Sequence, residues 1–381
     1  MVSTMSSKGR KWPSEVRDLK DARTGATVWQ ITDHPSINHN LYFLTTSFLP
    51  DERSLVFASF RDGSANFYSQ PLGGGPIVQL TDSPGINSYS ALISDDGQML
   101  FFTRQSNIVA LSLADLSEKV LADFPGGTLG EVNLSADGRW IVSAMRLTGE
   151  HGIVVAAVDG SSAALIHRQQ GVIIHPQFHP TDSSLIEYAA DPAPRMHLIN
   201  RDGTGNRCLY QHDNAECVVH ETWLGQTGDL AFTVWPRALQ RMHLPSRQIT
   251  TIAEFNAWHI CPSRDGRFIL CDTNHPDIGI QRVEVATGRR QVVCYPESSN
   301  RGSQWPKGRY ALAADFEEAA RSAGTDVGTQ QSWMDMKTDT VYGPQWTHPH
   351  PALSRSGRFA TFTSDRTGRP QVYVVKLGQD R

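Results

Sequence analysis

A long apolar run is missing from this chain. Lys8, Arg10 and Lys11 near the N-terminus are followed by none, which excludes a secretory core or a membrane anchor there. The protein is therefore expected to stay in the cytoplasm, with no membrane partner. Paired cysteines are missing too. Cys208, Cys217, Cys261, Cys271 and Cys294 are odd in number and contain no Cys-x-x-Cys, which argues against a disulfide frame or a zinc knuckle and for reduced, buried thiols. Nor is there a basic tract: the formal charge is −4, so nothing draws the chain toward nucleic acid, and any anion-binding basicity must be local. Phosphate loops, dinucleotide glycine turns and Gly-x-Ser-x-Gly are likewise absent.

What is present in quantity is turn chemistry. Thirty-one glycines and 21 prolines within 381 residues, only 19% of them charged, describe a globular chain with many turns and little helix. A short unit recurs: apolar residues, then Ser/Pro-x-Asp-Gly or a relative, then an alternating apolar stretch. It stands at Phe48–Phe57, Ile93–Gly97, Leu134–Gly138, Phe178–Asp182, Leu224–Gly228, Pro262–Gly266 and Leu353–Gly357, with a weaker copy at Pro306–Tyr310. Spacings of about 40 to 50 residues around a tight turn are those of four-stranded propeller blades. The expected fold is all-β, a seven-bladed β-propeller of four-stranded antiparallel blades, forming a single domain over 1–381. Residues 26–32 precede the first complete unit and are expected to supply the missing outer strand of the last blade, which removes an open sheet edge. Residues 1–20 read as an extension. About 298–342 reads as an insertion near the channel mouth with a short helix over Phe316–Ala323, although Gly308 leaves an eighth blade open. Two separate β domains divided near Gly149–Ser162 are disfavoured because the repeat crosses that boundary in rhythm.

In a propeller the strand before the Asp-Gly turn is innermost, and its first residues open on the central channel. His175, His220, His259 and the pair His348 and His350 stand seven to nine residues ahead of the turn glycine or its equivalent, with Tyr89 in that place in the second unit. Such positions converge on one axis. Neutral imidazole is the commonest transition-metal ligand, and Thr347-His348-Pro349-His350-Pro351 reads as a stiff extended segment presenting both rings. Gln345, three residues earlier, can add an amide oxygen, and a set of this kind suits Mn²⁺, Zn²⁺ or a similar Lewis acid. His220, beside Glu221 and Trp223, is either a proton acceptor or a filler of the channel wall. Arg195, Arg146 and Arg237 fall near the same end and suit carboxylate recognition, whereas Arg61 and Arg366 sit in turn signatures and read as structural.

These motifs resemble the cytoplasmic oligogalacturonate lyases. The resemblance covers nearly the full chain and rests on four stretches: Asp21-Ala22-Arg23-Thr24-Gly25-Ala26, Asn38-His39-Asn40-Leu41-Tyr42-Phe43, His220-Glu221-Thr222-Trp223, and Gln345 to Pro351 followed by Phe362-Thr363-Ser364-Asp365. It implies a seven-bladed propeller that cleaves short acidic pectin fragments by metal-assisted β-elimination; whether the protein is a monomer or a homodimer stays open. It further implies Gln345, His348, His350 and His259 as ligands of manganese, His220 as the base, and Arg195 as a carboxylate or transition-state contact. His175, His39, Arg237 and Arg146 are the expected substrate contacts. The chain departs from the family pattern around Ser143–Ile153 and in the stretch before Gln345, both bordering the mouth. Two other readings use the same repeats. One is a non-enzymatic TolB-like propeller of the kind found beside translocation systems. The other is a propeller hydrolase, which would favour carboxylates on the axis over histidines.

Overall fold

A computed structural model describes residues 6–274, 276–300 and 345–378 of the chain. Gly308 and the short helix expected over 316–323 lie outside these residues. Among the described residues the backbone forms seven antiparallel sheets, five of four strands and two of five. Their inner strands are Asn38–Asn40, Leu92–Ile93, Thr128–Leu134, Val172–Phe178, Cys217–Trp223, Ala257–Pro262 and Ala352–Leu353, here taken to head blades 1 to 7. The chain is thus the seven-bladed β-propeller that its repeats imply.

The recurrent turn explains the regularity. In blades 2, 3 and 6 the turn serine (Ser94, Ser135, Ser263) donates its hydroxyl to the aspartate two residues on, at 2.6, 2.6 and 2.7 Å. The amide of the turn glycine donates to the carbonyl of the same serine, as it also does at Gly357 in blade 7. Gly97, Gly138, Gly266 and Gly357 all hold φ between 69° and 71°, a left-handed conformation that costs a side-chain-bearing residue energy but not glycine. These four turns therefore share one local geometry.

Both faces of each sheet are covered by the next blade, so the second strands read as unbroken apolar runs. In Ser54–Ser59 the alternation still operates: Leu55 and Phe57 enter the core shared with blade 7, while Val56 and Ala58 enter the core shared with blade 2. Phe67 of blade 1 and Phe102 of blade 2, both wholly buried, meet there at 5.5 Å between ring centres. Phe102→Ala is expected to cost about 3–5 kcal/mol by opening that seam, read as a fall in the midpoint of denaturant unfolding. A change below about 1 kcal/mol would show that the seam does not carry the packing assigned to it.

The ring is closed by the N-terminal segment. Thr27–Gln30 pairs with Gln371–Lys376 through Val28↔Val375, Trp29↔Val374 and Gln30↔Tyr373, as the fourth strand of blade 7. Arg17–Lys20 adds a fifth strand outside it, and Lys11–Trp12 adds one to blade 1. Closure at this edge removes the open ladder that an eighth neighbour would otherwise occupy. Arg61 is held by Glu15 at 3.1 Å, and Arg366 donates to the Tyr295 carbonyl at 3.2 Å, so both have structural bonding partners. All five cysteines are unpaired thiols. No helix among the described residues is long and apolar enough to cross a membrane.

Candidate metal and catalytic site

The channel histidines reach the axis through a repeated irregularity. The inner strands of blades 4, 5 and 6 each slip register against the second strand, between Ile174 and Gln177, Val219 and Thr222, and Ala257 and Ile260. Two residues in each bulge face one on the partner, which re-aims a side chain that the pleat would otherwise place against a neighbouring blade. His175 and His220 occupy their bulges with φ of 55° and 59°, and His259 is the second residue of its own. Non-glycine residues rarely adopt left-handed backbone, and where they do the surrounding structure must hold it.

Three of these rings meet. The ligand nitrogens of His259, His348 and His350 lie within 4.8 Å of one another, and all three residues are buried. Ring centres are 4.0 Å apart for His259 and His350, 5.6 Å for His259 and His348, and 5.7 Å for His348 and His350. The segment bearing the last two is not the extended one expected from its prolines. Gln345–Thr347 is a turn of 3₁₀ helix closed by the His348 amide on the Gln345 carbonyl at 3.0 Å, and His350 is left-handed at φ 44°. Two contacts fix that shape. The His350 amide donates to Asp272 Oδ2 at 3.3 Å, and Asn40 donates to the His350 carbonyl at 2.8 Å. Asn40 in turn accepts from Thr363 Oγ1 at 2.6 Å, so the Asn38-His39-Asn40 motif ties blade 1 to blade 7 around His350.

Asp272, on the second strand of blade 6, organises the centre. Its Oδ1 accepts the His259 amide at 2.7 Å and its Oδ2 lies 2.8 Å from His259 Nδ1. That fixes the tautomer: Nδ1 carries the proton and Nε2 is left as the ligand atom, the usual carboxylate–imidazole support of a metal site. His350 Nε2 is buried with no hydrogen-bond partner, an arrangement that costs stability unless a ligand satisfies it. Burial, then the neighbouring His259 and His348, push the His350 pKa well below its usual value, so its ring is neutral and a competent ligand. The donor set thus fits a divalent transition metal. Asp272→Asn should lower metal affinity about 10–100-fold, measured by competition with a chromophoric chelator. Unchanged affinity would mean that Asp272 does not orient the ligands.

Beside this centre lies a small cavity of about 20 Å³, room for a water or a bare ion, bordered by Tyr42, His175, Arg195, His220, Trp258, His259, Gln345 and His348 among others. Arg195 is 2% exposed and doubly paired, with Nε on Glu221 at 2.5 Å and Nη1 on Asp191 at 2.8 Å. Glu221 follows His220 in the bulge, so one irregularity sends the imidazole to the cavity and the carboxylate to the arginine behind it. Burial, then His259 and His175, lower the His220 pKa well below the usual value, which leaves that ring neutral. It stacks edge-on against His259 at 4.5 Å and Trp258 at 4.4 Å, and its Nδ1 has no protein partner.

The loop after the inner strand of blade 1 fills the axis. Phe43 packs among His175, His220, His259 and His350 at ring distances of 5.1–6.1 Å. Residues 44–46 of the same loop border a separate cavity of about 700 Å³ among the Asp-Gly turns at the opposite mouth. The channel is therefore plugged below the histidines.

Of the expected site residues, the structure brings Gln345, His348, His350, His259, His220, His175 and Arg195 together. His39 is not among those bordering the cavity: it is buried in the wall, stacked on Tyr89 at 4.0 Å, with Nδ1 on the Asn40 carbonyl at 2.8 Å. Arg146 lies at the same end on the second strand of blade 3, donating to Thr128 at 3.4 Å, and Arg237 is exposed in the turn after Leu230–Trp235. Asp272, Glu221, Glu131 and the Tyr42-Phe43 plug were not singled out from the sequence as site residues. Glu131 was within reach, since it stands at the histidine register seven residues before Gly138. Asp272 was signalled only by being a carboxylate inside the run Leu270-Cys271-Asp272-Thr273.

Fold and site together define a seven-bladed propeller with a buried histidine centre at one end of its axis. A family model described as oligogalacturonate lyase matches residues 6–145. The oligogalacturonide lyase of Pectobacterium atrosepticum and the oligogalacturonate lyase of Dickeya dadantii are each 22% identical over 412 aligned residues, covering 97% of this chain and 98% of the relative. A solved structure described as oligogalacturonate lyase in complex with manganese superposes with a TM-score of 0.81 at 21% identity, over 98% of this chain and 99% of that one. Over nearly its whole length the chain is similar to these oligogalacturonate lyases.

Proposed function

We propose that this protein is a metal-dependent lyase of short uronic-acid oligosaccharides, oligogalacturonates or close analogues, acting by β-elimination to give a 4,5-unsaturated uronide. The observation that carries the reading is the convergence of three imidazoles, His259, His348 and His350, beside one cavity that the paired Arg195 and His220 also border. The names of its relatives and the manganese in a solved relative support it.

The difficulty in such an elimination is removal of the proton α to the carboxylate, because charge accumulates on the carboxylate oxygens. His259, His348 and His350, with Gln345, would hold the ion, Mn²⁺ or a similar divalent metal, which when bound supplies a Lewis acid for that charge. Arg195 is fixed in one orientation by Glu221 and Asp191, so it can meet the same carboxylate without reorganising. His220 takes the α proton. The C–H electron pair becomes the new double bond, and the C4–O bond breaks with its pair on the departing oxygen, which gains a proton. Phe43 and Trp258 exclude bulk water from these groups, which strengthens each electrostatic contact.

Cleavage of tetragalacturonate in ¹⁸O-water tests the reaction class. Elimination takes no solvent oxygen into either product, and a product carrying one ¹⁸O at the cleaved bond would identify a hydrolase instead.

A further inference from the structure

The elimination just proposed leaves one group without an assigned contact, the oxygen that departs. His175 is the side chain the structure places for it. The ring is buried, and its amide donates to Glu131 Oε1 at 2.8 Å. Its Nε2 lies 3.0 Å from the Tyr42 hydroxyl and 3.9 Å from the Glu131 carboxylate. Its Nδ1 is buried with no partner. His175 borders the same cavity as Arg195 of its own blade and His220 of the adjacent one. When Tyr42 O–H donates to Nε2, the proton of the neutral ring must sit on Nδ1, so the unpartnered atom is a donor. A buried donor lacking an acceptor is costly, and a ligand oxygen removes that cost.

We infer that His175 Nδ1–H is the hydrogen-bond donor to the glycosidic oxygen that leaves, with Tyr42 and Glu131 as the positioning residues that fix its tautomer and ring orientation. The inference rests on the lyase reading. His175 keeps its proton throughout. The oxygen departs with the C–O pair under that hydrogen bond and takes a proton from a water, and the imidazolium formed at His220 returns its proton to the resulting hydroxide. A neutral imidazole acting as an electrophile in this way is an established device in enzymes.

The signature is a dependence on the leaving group. His175→Phe retains the aromatic packing against Tyr42 and Phe43 but removes the donor. On trigalacturonate it should lower kcat about 10²-fold, the range for loss of one preorganised donor. On a galacturonide carrying a nitrophenyl group at O4, which leaves without such help, the loss should be only a few-fold, with manganese content unchanged. Tyr42→Phe should show the same selectivity with a smaller loss. Equal losses on both substrates in the two variants would overturn the inference. A wild-type chain that eliminates neither substrate would instead overturn the lyase reading, and this inference with it.

Discussion

His220→Ala should lower turnover of oligogalacturonates by about 10²–10⁴-fold, the usual contribution of a positioned acid–base group, while the protein still binds one equivalent of metal. The separation follows from the geometry. His220 touches His259 only by ring contact at 4.5 Å, and it lies outside the group of nitrogens that converge within 4.8 Å. Its removal leaves Asp272 on His259 and the His348–His350 turn untouched. The check is the rate of unsaturated-product formation beside metal content by elemental analysis. A variant that keeps its rate deprives His220 of the base role. A variant that loses its metal shows that it is a ligand.

His350→Ala should produce the opposite pattern: sub-stoichiometric metal and no measurable elimination, with the fold retained. Its ring supplies one of the three convergent nitrogens, and its backbone is held separately by Asp272 and Asn40. Deleting the ring therefore removes a ligand without removing the scaffold. Millimolar manganese should not restore the rate fully, since two imidazoles and an amide oxygen retain fewer and weaker donors. Full metal occupancy in this variant would exclude His350 from the ligand set.

The fold was legible because its instructions are local. Ser94-Asp95-Asp96-Gly97 specifies a turn through its own serine, aspartate and glycine; blades 3 and 6 repeat that solution, and blade 7 keeps its serine and glycine. The closing strand Thr27–Gln30 was legible as a leftover unit with no blade of its own. Much of the site was legible for a related reason. A bulge interrupts the inner strand in blades 4, 5 and 6, so a short distance of seven or eight residues from the turn glycine or its equivalent marks the histidines aimed inward there.

What the sequence could not reveal depends on partners across strands. Asp272 matters because His259 sits opposite it in a bulge, and Glu221 matters because Arg195 arrives from a different blade. Neither relation has a sequence spacing of its own. The prolines around His348 and His350 pointed to extended backbone. Hydrogen bonds from Asp272 and Asn40 outweigh that preference and hold His350 left-handed. His39 shows the same limit from the other side, since its motif draws attention while its ring lies in the wall against Tyr89.

The measurement that bears most directly on the whole account is the ultraviolet absorbance of unsaturated uronide, followed while the protein acts on trigalacturonate before metal removal, after exhaustive chelation and after return of Mn²⁺. The account predicts absorbance growth that stops on chelation and resumes with about one equivalent of metal per chain. Growth that continues undiminished in the metal-free protein, or cleavage without the unsaturated product, would contradict it.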